Sequence, residues 1–411
     1  MDLNPTSLRT AAGIVLLLVA VAAPFFLGSY DLNLAGRFLA LSLTAMGLAI
    51  LWGEGGVLSL GQGVFFGLGG YALAMHLKLA SLSGGDTMPD FMGWTGVKHL
   101  PWWWAVMASP LAALVAVVVV PAAIAAGFSW LVFRRRIGGV YFALITQALA
   151  LAFSTLLISQ QAYTGGFNGL TSFKTLFGFD LSDAGVERGL YWITLAIVVG
   201  ALMVGRLLMA SRYGKLLRAS RDGANRIRFL GYDPTPYKVI AFTVAAVLAG
   251  VSGALFTLHA GVISPALVGV VPSVEMVIWV AIGGRTSLAG AIAGALLVNF
   301  AKDKISTVLP AFWLYALGAL FIVAVTVAPK GLAGLFPSET DGQAQAAAAR
   351  RAHRRRTAVG GSADPGRAGP HPEGAGRGYH HRGAEPGFRP GLRRSLCGDA
   401  AWPSRSPRRD Q

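Results

Sequence analysis

Few residues in this chain have the types and spacing that catalysis or cofactor binding requires. The phosphate-binding pattern GxxxxGK[ST] is absent, and His76, His99 and His259 lie too far apart in sequence to indicate a metal site. No candidate nucleophile stands with a base in a recognisable pattern. The sequence therefore predicts a non-enzyme that binds no cofactor and no metal, and any ATP it depends on would be bound by partner subunits.

Polar side chains inside apolar stretches are the remaining candidates for chemistry. Burying them in lipid is costly and usually requires a wet or protein-lined cavity, so as a set they suggest a narrow, weakly polar path for a small neutral solute. For each one the alternative is a hydrogen bond between helices with no ligand. The predicted path comprises Gln62, Tyr141, Gln147 beside Thr146, Glu275 and Trp279, with Asn168 in a glycine-rich loop outside the spans.

The composition is that of a membrane protein with many spans. Of the 411 residues, 54% are hydrophobic and 13% charged, and the mean hydropathy is +0.57. Several apolar stretches reach the length of about 20 residues that a crossing needs. Cys397 is the only cysteine, so no intrachain disulfide can form.

The apolar stretches predict an all-α, polytopic bundle of about ten spans. If the two short pieces 273–282 and 288–300 form a re-entrant hairpin, the number falls to eight, and both termini are cytoplasmic in either case. The predicted spans are 10–27, 34–52, one beginning at Val57, 105–133, 139–159, 190–209, 239–262, 273–282, 288–300 and 312–328.

The longest charged run between apolar spans is the stretch 211–238. Its excess of arginine and lysine places it in the cytoplasm by the positive-inside rule. Apolar residues recur at helical spacing from Leu216 to Leu230, and Gly231 and Pro234 follow as stop signals. The pattern predicts a short amphipathic helix that either lies on anionic lipid headgroups or docks a partner.

Several stretches resemble one family of transport proteins. RYGKLLRASRDGANRIRFLGYDPTPYK is similar to the coupling loop of ABC-importer permeases of the branched-chain amino acid type. Others resemble the urea-type branch of that family, and together they cover nearly all of residues 10–337. They are LWGEGGVLSLGQGVFFGLGGYALAMHLKL, MPDFMGWTGVKHLPWWW, GGVYFALITQALAL, GGFNGLTSFKTLFGFDL and SVEMVIWVAIGGRTSLAGAIAGALLVN.

The resemblance implies a permease subunit of an ATP-driven importer for urea or a short-chain amide in the bacterial inner membrane. It also implies a homologous second permease, two ATPase subunits and a periplasmic substrate-binding protein as partners, with no nucleic acid. The alternatives are a branched-chain amino acid permease, a stand-alone urea channel or secondary transporter, and a structural membrane scaffold. The residues implied in ATPase coupling are Arg212, Lys215, Arg218, Arg221, Asp222, Arg226 and Gly231.

The permease domain is predicted to end at residue 337, and the stretch 338–411 has a different character. Residues 340–411 contain fourteen arginines and no lysine against six acidic residues, with many Pro and Gly and no apolar periodicity. Such a segment cannot bury a core, so it is predicted to be disordered. The alternative is an artefact of the gene model, since GC-rich coding sequence translated out of frame has this composition.

Overall fold

The computed structural model describes most of the predicted permease domain. The predicted tail 338–411 lies outside the described residues, as does most of the predicted last span, so the domain boundary stays a prediction. The described residues are 18–82, 88–173, 175–176, 178–181, 183–308, 312, 313, 315, 318–320, 322, 326 and 331–335.

The described part is an α-helical bundle, as the sequence predicts. A π-helical segment, Ala49–Glu54, continues α2, and a 3-10 turn, Pro265–Leu267, precedes α12. The helices are α1 (18–26 of it described), α2 Ser29–Leu48, α3 Gln62–Ala80, α4 Asp90–Trp94, α5 Trp102–Ala105, α6 Pro110–Arg134, α7 Val140–Ser159, α8 Gln161–Thr164, α9 Ala184–Ala210, α10 Arg212–Phe229, α11 Thr235–Ala260, α12 Val270–Gly283 and α13 Leu288–Val308.

Seven helices within the described residues are long and apolar enough to cross a membrane, and a count of ten is not confirmed. The sequence predicts that residues 273–282 and 288–300 are too short to cross independently. The first lies in a 19-residue segment, Pro265–Gly283, and α13 has 21 residues, so both lengths were underestimated. At about 1.5 Å per residue α12, with its 14 helical residues, is about 21 Å long and α13, with 21, about 32 Å long, and α13 is not among the seven helices counted above.

The two ends of the bundle differ in charge and in structure. The end that bears Arg134 and α10 is here called the basic face, and the opposite end the far face. At the far face, strand β1 (Leu170–Thr171) pairs antiparallel with β4 (Val262–Ile263), while β2 (Thr175–Leu176) pairs with β3 (Phe179–Asp180). These short ladders fix the loops that join the helices there.

Helix α11 forms the centre of the bundle and packs against α2, α3 and α6. Its contact with α3 is close because glycines of each helix lie directly against the backbone of the other. A Cβ at Gly253 would collide with the carbonyl oxygen of Phe66, and one at Gly69 would collide with the carbonyl of Gly250. Small residues at helix contacts let two backbones approach in this way.

Gly253→Ala should therefore destabilise the bundle, because the added methyl group meets rigid backbone. Overpacking of this kind costs about 1 to 3 kcal/mol, or roughly 1 to 4 °C in the melting temperature of a protein of this size. Gly200→Ala in α9 is the matched control, since a Cβ there meets nothing within 4 Å. Thermal unfolding of the two purified variants in detergent tests this, and equal melting temperatures would contradict it.

Candidate functional site

The predicted amphipathic helix exists and is longer than the sequence predicts. Helix α10 begins at Arg212 rather than Leu216, and it bends at Gly223, whose backbone is extended (φ −174°). It ends at Phe229, and Gly231 follows with φ +84°, a conformation that residues with a side chain rarely adopt. The glycine stop that the sequence predicts is therefore present.

One side of α10 is buried against the bundle and the other is exposed. The buried residues are Gly214, Leu217, Ser220 and Ile227. Ring contact between Tyr213 and Tyr237 in α11 adds to this packing. The exposed residues include five of the seven predicted coupling residues: Arg212, Lys215, Arg221, Asp222 and Arg226.

Arg218 ties α10 to the end of α2. Its Nε lies 3.1 Å from Glu54 Oε2, while the N–H itself points to the carbonyl of Gly214 at 3.3 Å, so the Glu54 contact is a charge attraction without hydrogen-bond geometry. A second guanidinium nitrogen donates to the carbonyl of Met209. The Glu54 side chain is only 16% exposed, so its charge lies close to the bundle.

Arg221 contacts the last turn of the π-helical segment Ala49–Glu54. Its Nη1 donates to the carbonyl of Gly53 at 2.5 Å, and its Nε to Asp222 Oδ1 at 2.9 Å. The turn itself has no room for side chains. A Cβ at Gly56 (φ +67°) would meet the Arg221 side chain, and one at Gly53 would meet the carbonyl of Arg285.

Beside α10, the basic face has an open cavity of about 600 Å³. Arg134, Arg136 and Arg228 line it together with Asp233. The backbone N–H of Thr235 donates to Asp233 Oδ1 at 3.0 Å, and this bond, together with Arg228 and Arg136, holds the pKa of the Asp233 carboxyl below its usual value. The carboxylate stays charged, and the cavity keeps a net positive lining.

The predicted third span does not begin as a helix at Val57. Residues 57–61 are not helical, and α3 begins at Gln62. Two hydroxyl groups from other helices bond to the backbone there: Leu60 N donates to Thr146 Oγ1 (3.0 Å), and Gly63 N to Ser273 Oγ (3.2 Å). Trans-capping of this kind satisfies backbone groups that would otherwise be orphaned.

The start of α3 lies deep within the bundle. Thr146 is about 9 Å along α7 from its start near Arg136, and Ser273 is about 15 Å from the end of α12 beside Arg285. The start of α7 and the end of α12 both lie at the basic face. Thr146 and Ser273 bond to the backbone on either side of Gln62, so Gln62 is near the middle of a hydrocarbon core about 30 Å thick. The Gln62 side chain is 1% exposed, and neither polar atom of its amide has a hydrogen-bond partner among the described residues.

Glu275 and Trp279 are both buried on α12, and Glu275 pairs with a residue of α13. Lys302 Nζ lies 2.7 Å from Glu275 Oε2, and Trp313 Nε1 lies 3.5 Å from Oε1. The carboxylate is thus neutralised within the chain.

The other predicted path residues are scattered. Tyr141 is 74% exposed at the start of α7, on the outside of this single chain. Gln147 is half-buried, and Asn168 is exposed in a 3-10 turn at the far face. The structure therefore brings neither Tyr141 nor Asn168 to the interior position that Gln62 occupies.

Sequence reasoning missed two residues of the interior, Ser273 and Lys302. Ser273 reads as the first residue of an apolar run, and nothing in one sequence shows that it bonds to Gly63, 210 positions away. Lys302 lies just beyond the predicted end of its span. The signal that could have found it is Glu275, because a carboxylate in a span requires a partner of opposite charge.

The chain is similar to permease proteins. Residues 31–325 match the family described as "Branched-chain amino acid transport system / permease component". Over 339 residues the chain is 28% identical to the high-affinity branched-chain amino acid transport system permease protein LivM of Salmonella typhimurium, covering 77% of this chain and 73% of that protein.

Two further relatives have similar names. LivM of Escherichia coli K12 is 27% identical over 341 residues, covering 78% of this chain and 73% of the relative. The high-affinity branched-chain amino acid transport system permease protein BraD of Pseudomonas aeruginosa is 24% identical over 266 residues, covering 64% of this chain and 80% of that protein. No solved structure matches the chain.

Arg221→Ala should loosen α10, because it removes the bond to Gly53. A hydrogen bond from a charged group contributes about 1.5 to 3 kcal/mol, and partial exposure of Arg221 reduces this to about 1 kcal/mol. Backbone amides of α10 should then exchange hydrogen for deuterium about fivefold faster. Lys215→Ala, exposed on the same helix, is the control. Equal exchange in both variants would show that the Arg221 bond does not hold the helix.

Proposed function

The chain belongs to the family of permease components of branched-chain amino acid transport systems, and from this membership we propose that it is one membrane-spanning subunit of an ATP-driven importer. Its partners are a homologous second permease, two ATPase subunits at the basic face, and a substrate-binding protein at the far face. The basic face is cytoplasmic by the positive-inside rule. Solute then moves from the far face to the basic face.

The observation that carries this proposal is the two-sided burial of α10. Its inner side is fixed to the bundle by Leu217, Arg218 and Arg221, and its outer side presents Arg212, Lys215 and Arg226 without a contact that would explain them in the described residues. A helix that served only its own fold would not need this basic outer side. A complementary groove on an ATPase subunit is the partner that the proposal assigns to it.

The attachment of α10 indicates how a change in the ATPases would reach the interior. Arg218 and Arg221 contact Glu54 and Gly53, and only the short stretch 57–61 separates that turn from Gln62 at the start of α3. Displacement of α10 would therefore pull directly on the start of α3. ATP binding and hydrolysis in the partners would favour different positions of this linked unit.

The ties are weak enough to rearrange during a transport cycle. The side chains of Arg218 and Glu54 are 42% and 16% exposed, and a partly exposed ion pair contributes about 0 to 1 kcal/mol. Such a contact sets the position of α10 without locking it. The stronger constraint is the close packing of Gly53 against the backbone of Arg285.

We propose that the substrate is a branched-chain amino acid. The resemblance of several sequence stretches to the urea-type branch suggested urea first, with a branched-chain amino acid as the alternative. Support comes from the relatives, which are named for branched-chain amino acid transport. Lys302 neutralises Glu275, the carboxylate that the sequence places on the path, and a path without a net charge at that position suits a zwitterion as well as a neutral amide. Urea stays the second candidate on the strength of those stretches.

Deleting the gene should abolish uptake of labelled leucine under nitrogen limitation and leave uptake of labelled urea unchanged. Complementation with the intact chain should restore leucine uptake, and depletion of ATP should stop it. Loss of urea uptake alone would assign the chain to the urea branch. Uptake that persists after ATP depletion would indicate a channel or secondary transporter.

Reversing the outer charges of α10 should uncouple the importer without unfolding it. In the variant Lys215→Glu with Arg226→Glu, like charges would face the acidic side of the ATPase partner's groove. We expect co-purification of the ATPases and uptake to fall at least tenfold. Arg188→Glu, an exposed position at the far face, is the matched control. If the α10 variant keeps its ATPases and its uptake, α10 is a lipid-facing helix instead.

A further inference from the structure

Among the described residues with a buried polar atom that lacks a hydrogen-bond partner, which include Thr44 and Tyr71, Gln62 is the one whose side-chain oxygen and nitrogen both lack one. Its side chain is 1% exposed, and both the oxygen and the nitrogen of the amide lack hydrogen-bond partners within the part of the chain that the structure describes. A buried amide in this condition destabilises the protein that contains it. Its retention at the start of α3 therefore points to a use other than folding.

The neighbouring polar groups are already engaged and cannot serve in its place. Ser273 Oγ accepts from Gly63 N (3.2 Å) and lies 2.9 Å from the carbonyl of Gly269, to which it donates. Thr146 Oγ1 likewise accepts from Leu60 N and donates to Ala143 O at 2.9 Å. The two hydroxyl groups thus accept hydrogen bonds from the backbone N–H groups at the start of α3. The Gln62 side-chain amide has no such partner among the described residues.

The position of Gln62 gives its amide a direction. It is the first residue of α3, and the Cα–Cβ bond of a helical residue tilts toward the helix N-terminus. The amide is thus directed over the N-terminal end of a helix that starts near the middle of the bundle. That end carries a partial positive charge, which attracts the anionic group of a ligand.

We propose that the Gln62 amide and the N-terminal end of α3 form the subsite that takes the polar head of an aliphatic amino acid halfway through the membrane. Nε2 donates to the carboxylate, Oε1 accepts from the ammonium group, and the helix end stabilises the carboxylate charge. This inference rests on the proposed function. Because α3 follows directly from the turn that α10 holds, the same movement that couples the ATPases would shift the subsite.

The test uses the complete importer, with both permeases, the ATPases and the binding protein, reconstituted in vesicles. Gln62→Leu removes the amide at similar volume, and Gln160→Leu makes the same change at an exposed residue as the control. Two readouts are needed: the melting temperature of the purified permease and the rate of labelled leucine uptake. We expect Gln62→Leu to raise the melting temperature, because an unsatisfied buried amide is gone, and to lower leucine uptake at least tenfold.

The outcomes separate the subsite from simpler roles. If Gln62→Leu lowers the melting temperature and uptake falls only with the amount of folded protein, Gln62 makes a structural bond and the subsite is wrong. Unchanged uptake in Gln62→Leu, with active wild-type vesicles, would also overturn the subsite while leaving the importer intact. Wild-type vesicles that take up no leucine would overturn the proposed function itself.

A second substitution identifies the charge of the ligand. Gln62→Glu keeps the shape of the side chain but sets a carboxylate where the proposal places the carboxylate of the substrate. Burial favours the protonated form of this carboxyl, so repulsion should lower leucine uptake relative to wild type increasingly as the pH rises, whereas uptake of a ligand without charge, such as urea, would be far less affected. Leucine uptake by Gln62→Glu with the same pH dependence as wild type would contradict carboxylate binding at Gln62.

Discussion

The structure depends on one constraint, which is that backbone leaving helical geometry inside a membrane must find its hydrogen bonds within the protein. The stretch 57–61 is such backbone, and hydroxyl groups of Thr146 and Ser273 bond to its end. Those hydroxyls belong to α7 and α12, so both helices must be held in register with α3. The close glycine contacts between α3 and α11 complete this frame, because they fix α3 against the central helix.

A second consequence of the same interruption is a short connection between surface and interior. In an unbroken span, a push at the membrane surface moves a whole rigid rod. Here α10 contacts the turn at Gly53, and a few non-helical residues later the chain reaches Gln62. On the proposed coupling, movement at the surface would thus reach a buried side chain through a short non-helical stretch.

Hydropathy and charge predicted the spans and α10, because both depend on local sequence. They did not predict where α3 begins, since Ser273 caps it from 210 positions away. They also ended α13 too early, because Lys302 looks like a boundary until Glu275 is placed beside it. The spacing of residues in a span that is apolar all round does not show which side of the helix faces the interior. Tyr141 was predicted to lie on the path, and in this single chain its side chain lies on the outside.

The pairing of Glu275 with Lys302 has a consequence for how the chain is made. A lone lysine or glutamate in the middle of a span costs about 3 kcal/mol when a new helix leaves the insertion machinery for lipid. Helix α12 is synthesised first and carries the carboxylate, and α13 brings the ammonium group. Release of the two helices into the bilayer together, as a hairpin already joined by its ion pair, would avoid this cost, so we expect α12 to insert less efficiently without α13.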